Sequence, residues 1–191
     1  MLTKVISVKT VVIILIAVLL IPRAGHTTSR VPFVLPPKSE LNKLKRAIVY
    51  TVKGNIHIEL FPEEAPWHVA NLKYLADKGF YKNNKFHLHY DNYIIQGGDP
   101  RGDGMGGPGY SLPAEYTQRL HDTGTVGMAR IPDSVNPERR SNGSQFHILL
   151  RPAPRMNGNY TIIGRVIHGM DIARSIRKED RILDLVVYVR P

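Results

Sequence analysis

The residues with the clearest chemical character are side-chain amides set among glycines. In Tyr93-Ile94-Ile95-Gln96-Gly97-Gly98-Asp99-Pro100 an apolar strand ends in a glutamine, and the glycines after it let a second backbone approach closely. The chemistry on offer there is hydrogen bonding at the edge of a pocket. Gly127-Met128-Ala129 and Asn142-Gly143-Ser144-Gln145-Phe146 repeat the theme of small residues beside an amide and an aromatic ring. The chain has no cysteine, which excludes thiolate nucleophiles, thiolate zinc sites and disulfides.

Other motifs read as structure. Gly104-Met105-Gly106-Gly107-Pro108-Gly109 satisfies the spacing G-x-G-x-x-G, but Pro108 and Pro113 deny it the helix a dinucleotide site requires. Arg101-Gly102-Asp103 falls in the same loop. His87 and His89 share a strand face at metal-ligand spacing, yet no carboxylate-rich cluster accompanies them, so neither a metal nor another cofactor is expected. Asn142-Gly143-Ser144 and Asn159-Tyr160-Thr161 match the glycosylation acceptor pattern.

The elements that must position these residues are mostly short strands. Residues 47–52 are β-prone, Lys53-Gly54-Asn55 supplies a turn, and Ile56, Ile58 and Leu60 alternate with His57 and Glu59, which predicts an antiparallel hairpin. A helix is predicted over 66–78, with Pro66 in its first turn, Val69, Leu72 and Ala76 on one face, and Gly79 as its stop. Further strands are predicted at 85–89, 93–96, 125–129, 145–150, 160–166 and 183–189, and a second helix at 170–177. Many strands, two helices and long connections rich in Gly and Pro predict a mainly β fold, a closed antiparallel barrel with helices over its ends.

Taken in order, Phe86-His87, Ile95-Gln96-Gly97-Gly98-Asp99, Gly127-Met128-Ala129, Asn142-Gly143-Ser144-Gln145-Phe146, Gly164-Arg165-Val166 and Gly169-Met170-Asp171 resemble the cyclophilin family of peptidyl-prolyl cis-trans isomerases. The resemblance runs from about residue 47 to residue 189. It implies an eight-stranded barrel capped by two helices, with a proline-binding groove on its outer face. Rotation about an X-Pro amide faces a barrier of about 20 kcal/mol from amide resonance. An apolar slot for the ring, a polar grip on the neighbouring amide and a cationic donor to the twisted nitrogen lower it, without a nucleophile or a metal.

In cyclophilins an arginine directly after the Phe-His pair supplies that donor, and here the position is Leu88. Leucine cannot donate, and loss of one well-placed donor costs on the order of 10²–10³ in rate. The resemblance assigns the polar grip to Gln96 and the rest of the groove to Phe86, Tyr93, Ile94, Ala129, Arg130, Gln145, Phe146, His147, Arg155, Met156 and Tyr160. Several of these depart from the family. Tyr93 stands for phenylalanine, Ile94 for methionine, His147 for a phenyl floor, Arg155 for a tryptophan, Met156 for leucine and Tyr160 for histidine. Arg130 takes a position where asparagine is common, and residues 131–140 make a longer stretch than usual. These changes predict a narrower and more polar slot.

Length and composition fit this reading. The 191 residues, 42% hydrophobic and 22% charged, suit one globular domain with a modest extension. The net charge of +10 is uneven, because Lys4, Lys9, Arg23 and Arg30 lie in an opening stretch without acids and leave +6 for the rest. No dense basic stripe with interleaved aromatics appears, so nucleic acid is not an expected partner. Lys4 and Lys9 precede an apolar run over 11–21, the order of a signal anchor or signal peptide, expected over 1–25. A stem is expected over 26–46, extended and mobile, and the cyclophilin-like domain over 47–191.

The cleavage site after the run is poor, and by the positive-inside rule the lysines keep the N-terminus in the cytosol. The expectation is therefore a single-pass membrane protein of the secretory pathway with a lumenal or extracellular barrel; the alternative is a secreted one. Its partners are the membrane, through the leader, and proline-containing clients. It is read as an isomerase-family protein with weak catalysis, the alternative being a non-catalytic proline-peptide binding or scaffold module.

Overall fold

The computed structural model describes residues 31–189. The expected anchor over 1–25 lies outside the described residues, and among those described no helix is long and apolar enough to cross a membrane. The chain opens with a short helix α1 (Lys38–Leu41) and the hairpin β1 (Arg46–Thr51) and β2 (Gly54–Leu60). Helix α2 (Pro66–Asp77) follows, then β3 (Leu88–Tyr90), β4 (Ile94–Gly97) and the two-residue β5 (Ser111–Leu112). Next come β6 (Thr125–Met128), the short β7 (Ser141–Asn142), β8 (Phe146–Leu149) and a single 3-10 turn at Pro154–Met156. The last elements are β9 (Ile162–His168), α3 (Met170–Ser175) and β10 (Ile182–Tyr188).

Eight strands form one antiparallel sheet in the order β10-β1-β2-β9-β6-β8-β4-β3, and β5 pairs with β7 apart from it. Strand alternation explains the inner face: Ala47 and Val49 of β1 and Ile56, Ile58 and Leu60 of β2 are buried, whereas Ile48, Tyr50, His57 and Glu59 are not. Helix α2 lays Val69, Leu72 and Leu75 on this core, with Pro66 in its first turn, where a missing N–H costs nothing.

The barrel is not closed, contrary to expectation. The sheet curls, but β3 and β10 remain its two edges; the isolated bridge from Lys85 to Asp99 extends the β3–β4 ladder, and the one from Lys85 to Arg181 crosses the gap. Three backbone bonds reinforce this seam: Phe86 N–H to Asp180 O (2.9 Å), Glu179 N–H to Phe86 O (2.9 Å) and Ile182 N–H to Asn84 O (2.8 Å). The cause is local. The segment expected as a strand over 85–89 follows a turn in which Asn83 has φ 60°, and its regular pairing begins only at Leu88. The described part of the expected stem is packed rather than extended. Leu41 and Leu44 are buried in the core, and the Phe33 ring lies 5.5 Å from that of Tyr74 and 5.9 Å from that of Trp67.

Candidate functional site

Strands β3, β4, β8 and β6 lie side by side, and the residues that point away from the core line a groove on their outer face. Opposite Gln96 of β4 stand Leu88 on one side and His147 of β8 on the other; His147 is in turn opposite Gly127 of β6. Alternation sends Ile94 and Gln96 to the groove and Ile95 to the core. The groove holds about 280 Å³ and is lined by Leu88, Tyr90, Tyr93, Ile94, Gln96, Gly104, Ala129, Arg130, Ile131, Asn142, Gln145, His147, Met156 and Tyr160.

Most residues assigned to the site from the sequence meet here, and three do not. Phe86 and Phe146 are buried in the main core, at 0% and 1% exposure: Phe146 alternates with groove-facing Gln145 and His147, whereas Phe86 lies in the irregular backbone before β3, outside its alternation. Arg155 is exposed on the 3-10 turn and does not line the groove, since the last residue of that turn, Met156, fills the space against Ile94, Leu149 and Ala153. Sequence reasoning missed Tyr90, Gly104, Ile131 and Asn142 as lining residues. The signal for Tyr90 was present, two positions after Leu88 on one strand face.

The amides are fixed by a chain of hydrogen bonds. Gln145 Nε2 donates to the carbonyls of Gly104 (3.0 Å) and Gly106 (2.8 Å), and its Oε1 accepts from Gln96 Nε2 at 2.9 Å. The loop that offers those carbonyls is gathered around Asp99, whose carboxylate accepts from the backbone of Arg101 (2.8 Å), Asp103 (3.1 Å) and Gly104 (2.6 Å). Burial works against ionisation of Asp99, but the amides of Arg101, Gly106 and Gly104 outweigh it and hold the acid below its ordinary range. Gly106 has to be glycine, because a Cβ there would lie 1.9 Å from Asp99 Oδ1. Arg101 and Asp103 pair with each other at 2.6 Å, so the Arg-Gly-Asp tripeptide closes on itself. Asn142, of the first glycosylation pattern, donates to Gly106 O and accepts from the N–H groups of Ser144 and Gln145, and is fully committed to the loop.

The floor is polar and buried. His147 is 1% exposed, and burial, helped by neighbouring His121, pushes its imidazole down to about 3. The two rings stack with centroids 6.5 Å apart, and Tyr160 meets both edge-on. His121 is also lowered by burial, although its Nδ1 contact with Asn157 opposes the shift. Neither Nε2 has a hydrogen-bond partner among the described residues. Arg130 is the one cation in the groove lining. Its guanidinium lies 4.5 Å from the centre of the Tyr160 ring, its Nε donates to Asn159 O at 2.9 Å, and its Nη1 is bonded to Asp133. The site can therefore hold a small apolar ring beside a pre-oriented amide pair, but offers no mobile cation at the Leu88 position. The described residues contain no cluster of metal-ligating side chains.

Comparison with known proteins matches these features. The model of the cyclophilin type peptidyl-prolyl cis-trans isomerase/CLD family fits residues 46–187. A peptidyl-prolyl cis-trans isomerase of Synechococcus elongatus is 37% identical over 146 residues, 75% of this chain and 97% of that protein. Among solved structures, a cyclophilin type peptidyl-prolyl cis-trans isomerase of Cryptosporidium parvum superposes with a TM-score of 0.70 at 31% identity, over 77% of this chain and 99% of that one. A second structure of the same protein, in the presence of the dipeptide Ala-Pro, gives a TM-score of 0.68 at 31% identity over 76% and 99%. On the strength of the family match, the identities and the shared fold, this chain belongs to the cyclophilin-type peptidyl-prolyl cis-trans isomerase family.

Proposed function

We propose that the groove binds proline-containing segments and that catalysis of their rotation is weak. One observation carries the reading: Leu88 faces Gln96 across the β3–β4 pair, so the polar grip is present and the donor beside it is not. The apolar walls from Ile94 and Met156 suit a pyrrolidine ring, and the Ala-Pro structure of the Cryptosporidium relative supports this substrate class. A non-catalytic binding module is the second reading, favoured by the way Arg130 is tied to Asp133 and Asn159 instead of being free to replace the missing donor. The lysines before the apolar run support an anchored protein with a lumenal domain.

Exchange NMR on a prolyl peptide with the full chain in detergent micelles tests the function. The expected result is peptide-dependent shifts at Gln96, Ala129 and Gln145 with little acceleration of cis-trans exchange. Exchange at the rate of an ordinary cyclophilin overturns weak catalysis, and absence of any shift overturns the groove itself. No exchange enhancement at saturating protein selects the binding-module reading.

A further inference from the structure

Five arginines border the groove or the loop beside it, and they divide by partner. Arg130 and Arg139 share Asp133, and Arg140 lies 3.8 Å from Glu138. Arg151 and Arg155 have no carboxylate partner among the described residues, and both are exposed.

Both unpaired cations stem from backbone next to the cluster that joins Tyr93 and Met156. Leu150 N–H donates to Tyr93 O at 2.8 Å, which brings Arg151 alongside Tyr93, and the Arg151 guanidinium lies 5.0 Å from the centre of that ring. Tyr93 lines the groove. Arg155 is the middle residue of the turn whose last residue, Met156, also lines it, and the Arg155 carbonyl is held by Asn159 Nδ2 at 3.2 Å. The acid on the adjoining turn, Asp91, points elsewhere: it is 83% exposed and lies 3.3 Å from His89 Nε2. A guanidinium beside an aromatic ring keeps its N–H fork free for a planar carboxylate.

We propose that the groove selects proline-containing segments that carry an aspartate or glutamate within two residues of the proline, and that Arg151 and Arg155 receive this carboxylate. The proposal rests on the reading that the groove binds prolyl segments. The pairs form at an exposed rim, so each contributes modestly and the effect is sensitive to salt. Together they favour the acidic ligand by roughly threefold to tenfold.

The test is calorimetry on the full chain in detergent with three peptides that differ only beside the proline: Glu, Gln or Lys. The Glu peptide is expected to bind about threefold to tenfold tighter than the Gln peptide at an ionic strength of about 0.05 M, and the Lys peptide weaker than both. This preference is expected to shrink at about 0.5 M, to fall to about unity in Arg151→Gln/Arg155→Gln, and to persist in the remote control Arg174→Gln. Equal binding of the Glu and Gln peptides overturns the proposal while leaving the groove reading in place, as does a preference that survives in the double variant. Failure of all three peptides to bind overturns both.

Discussion

Gln96 and His87 meet through two nitrogens 3.2 Å apart, and only one arrangement of protons lets them bond. Gln145 has its nitrogen toward two carbonyls, so its oxygen must face Gln96, and Gln96 must answer with its own nitrogen. His87 Nε2 is then obliged to accept, which makes the ring neutral with its proton on Nδ1. Burial favours this state by lowering the imidazole below its ordinary range, against the opposing pull of Asp99 and Asp103.

Nitrogen chemical shifts of the His87 ring are expected to report the Nδ1–H tautomer at neutral pH and protonation only below the ordinary value of 6.5. Protonation places two donors face to face and forces Gln96 to turn, so peptide affinity should fall in step with it. A Nε2–H ring at neutral pH defeats the argument.

The missing donor makes a mutational series informative. Wild type is expected to accelerate prolyl exchange about a hundredfold or more below an ordinary cyclophilin. Leu88→Arg is expected to recover part of this, and Leu88→Arg with His147→Phe more, because groups that act as a unit are not additive. An unchanged rate in both variants, measured by exchange NMR with peptide binding intact, removes Leu88 as the cause.

Stability should depend on acid through the floor. The folded state holds His147 near 3, while the unfolded chain titrates at the ordinary 6.5, so the unfolded state binds more protons between these values. Stability from this group is full above about pH 6.5 and is lost progressively as the pH falls to about 3. Urea unfolding of wild type and His147→Phe across that window should show the wild type declining more steeply. Parallel curves contradict the assignment.

Gly127 tests the packing behind the same ring. A Cβ there would stand 2.6 Å from His147 Nε2 and 3.1 Å from Thr161 O. Gly127→Ala should cost about 1–3 kcal/mol in urea unfolding and perturb the ring resonances of His147 and Tyr160. A variant as stable as the parent means the floor has room that the structure denies.

The leader gives an independent test of location. The full chain is expected to stay in the pellet on alkaline carbonate extraction, with its domain protected from added protease in sealed vesicles. Complete release with a new N-terminus after Ala24 or Gly25 shows a cleaved signal instead.

The hairpin, α2 and the amide motifs were readable because each rests on local chemistry: period-two alternation, a proline at a helix start, glycines before a close approach. The groove was readable in outline and misread in detail. Phe86 and Phe146 belong to the motifs that carry the resemblance, but both side chains are in the core, and alternation from Gln145 and His147 already sends Phe146 inward. The open seam was not legible, because it depends on where irregular backbone ends and pairing begins, a balance struck between distant segments. Nor was the burial of Leu41 and Leu44, whose partners come from the other elements of the core.

Strand β3 pairs along one side only, with β4, and the segment that leads into it is tied to residues 179–182 through Asn84, Lys85 and Phe86. Position 88 therefore sits on the edge strand of the groove, with a strand partner on one side only. Leu88 has one strand partner where Gln96 has two, so a local opening of the sheet edge would displace Leu88 before Gln96. The geometry of a side chain placed at 88 is thus set as much by the bonds that tie residues 84–86 to 179–182 as by its own chemistry.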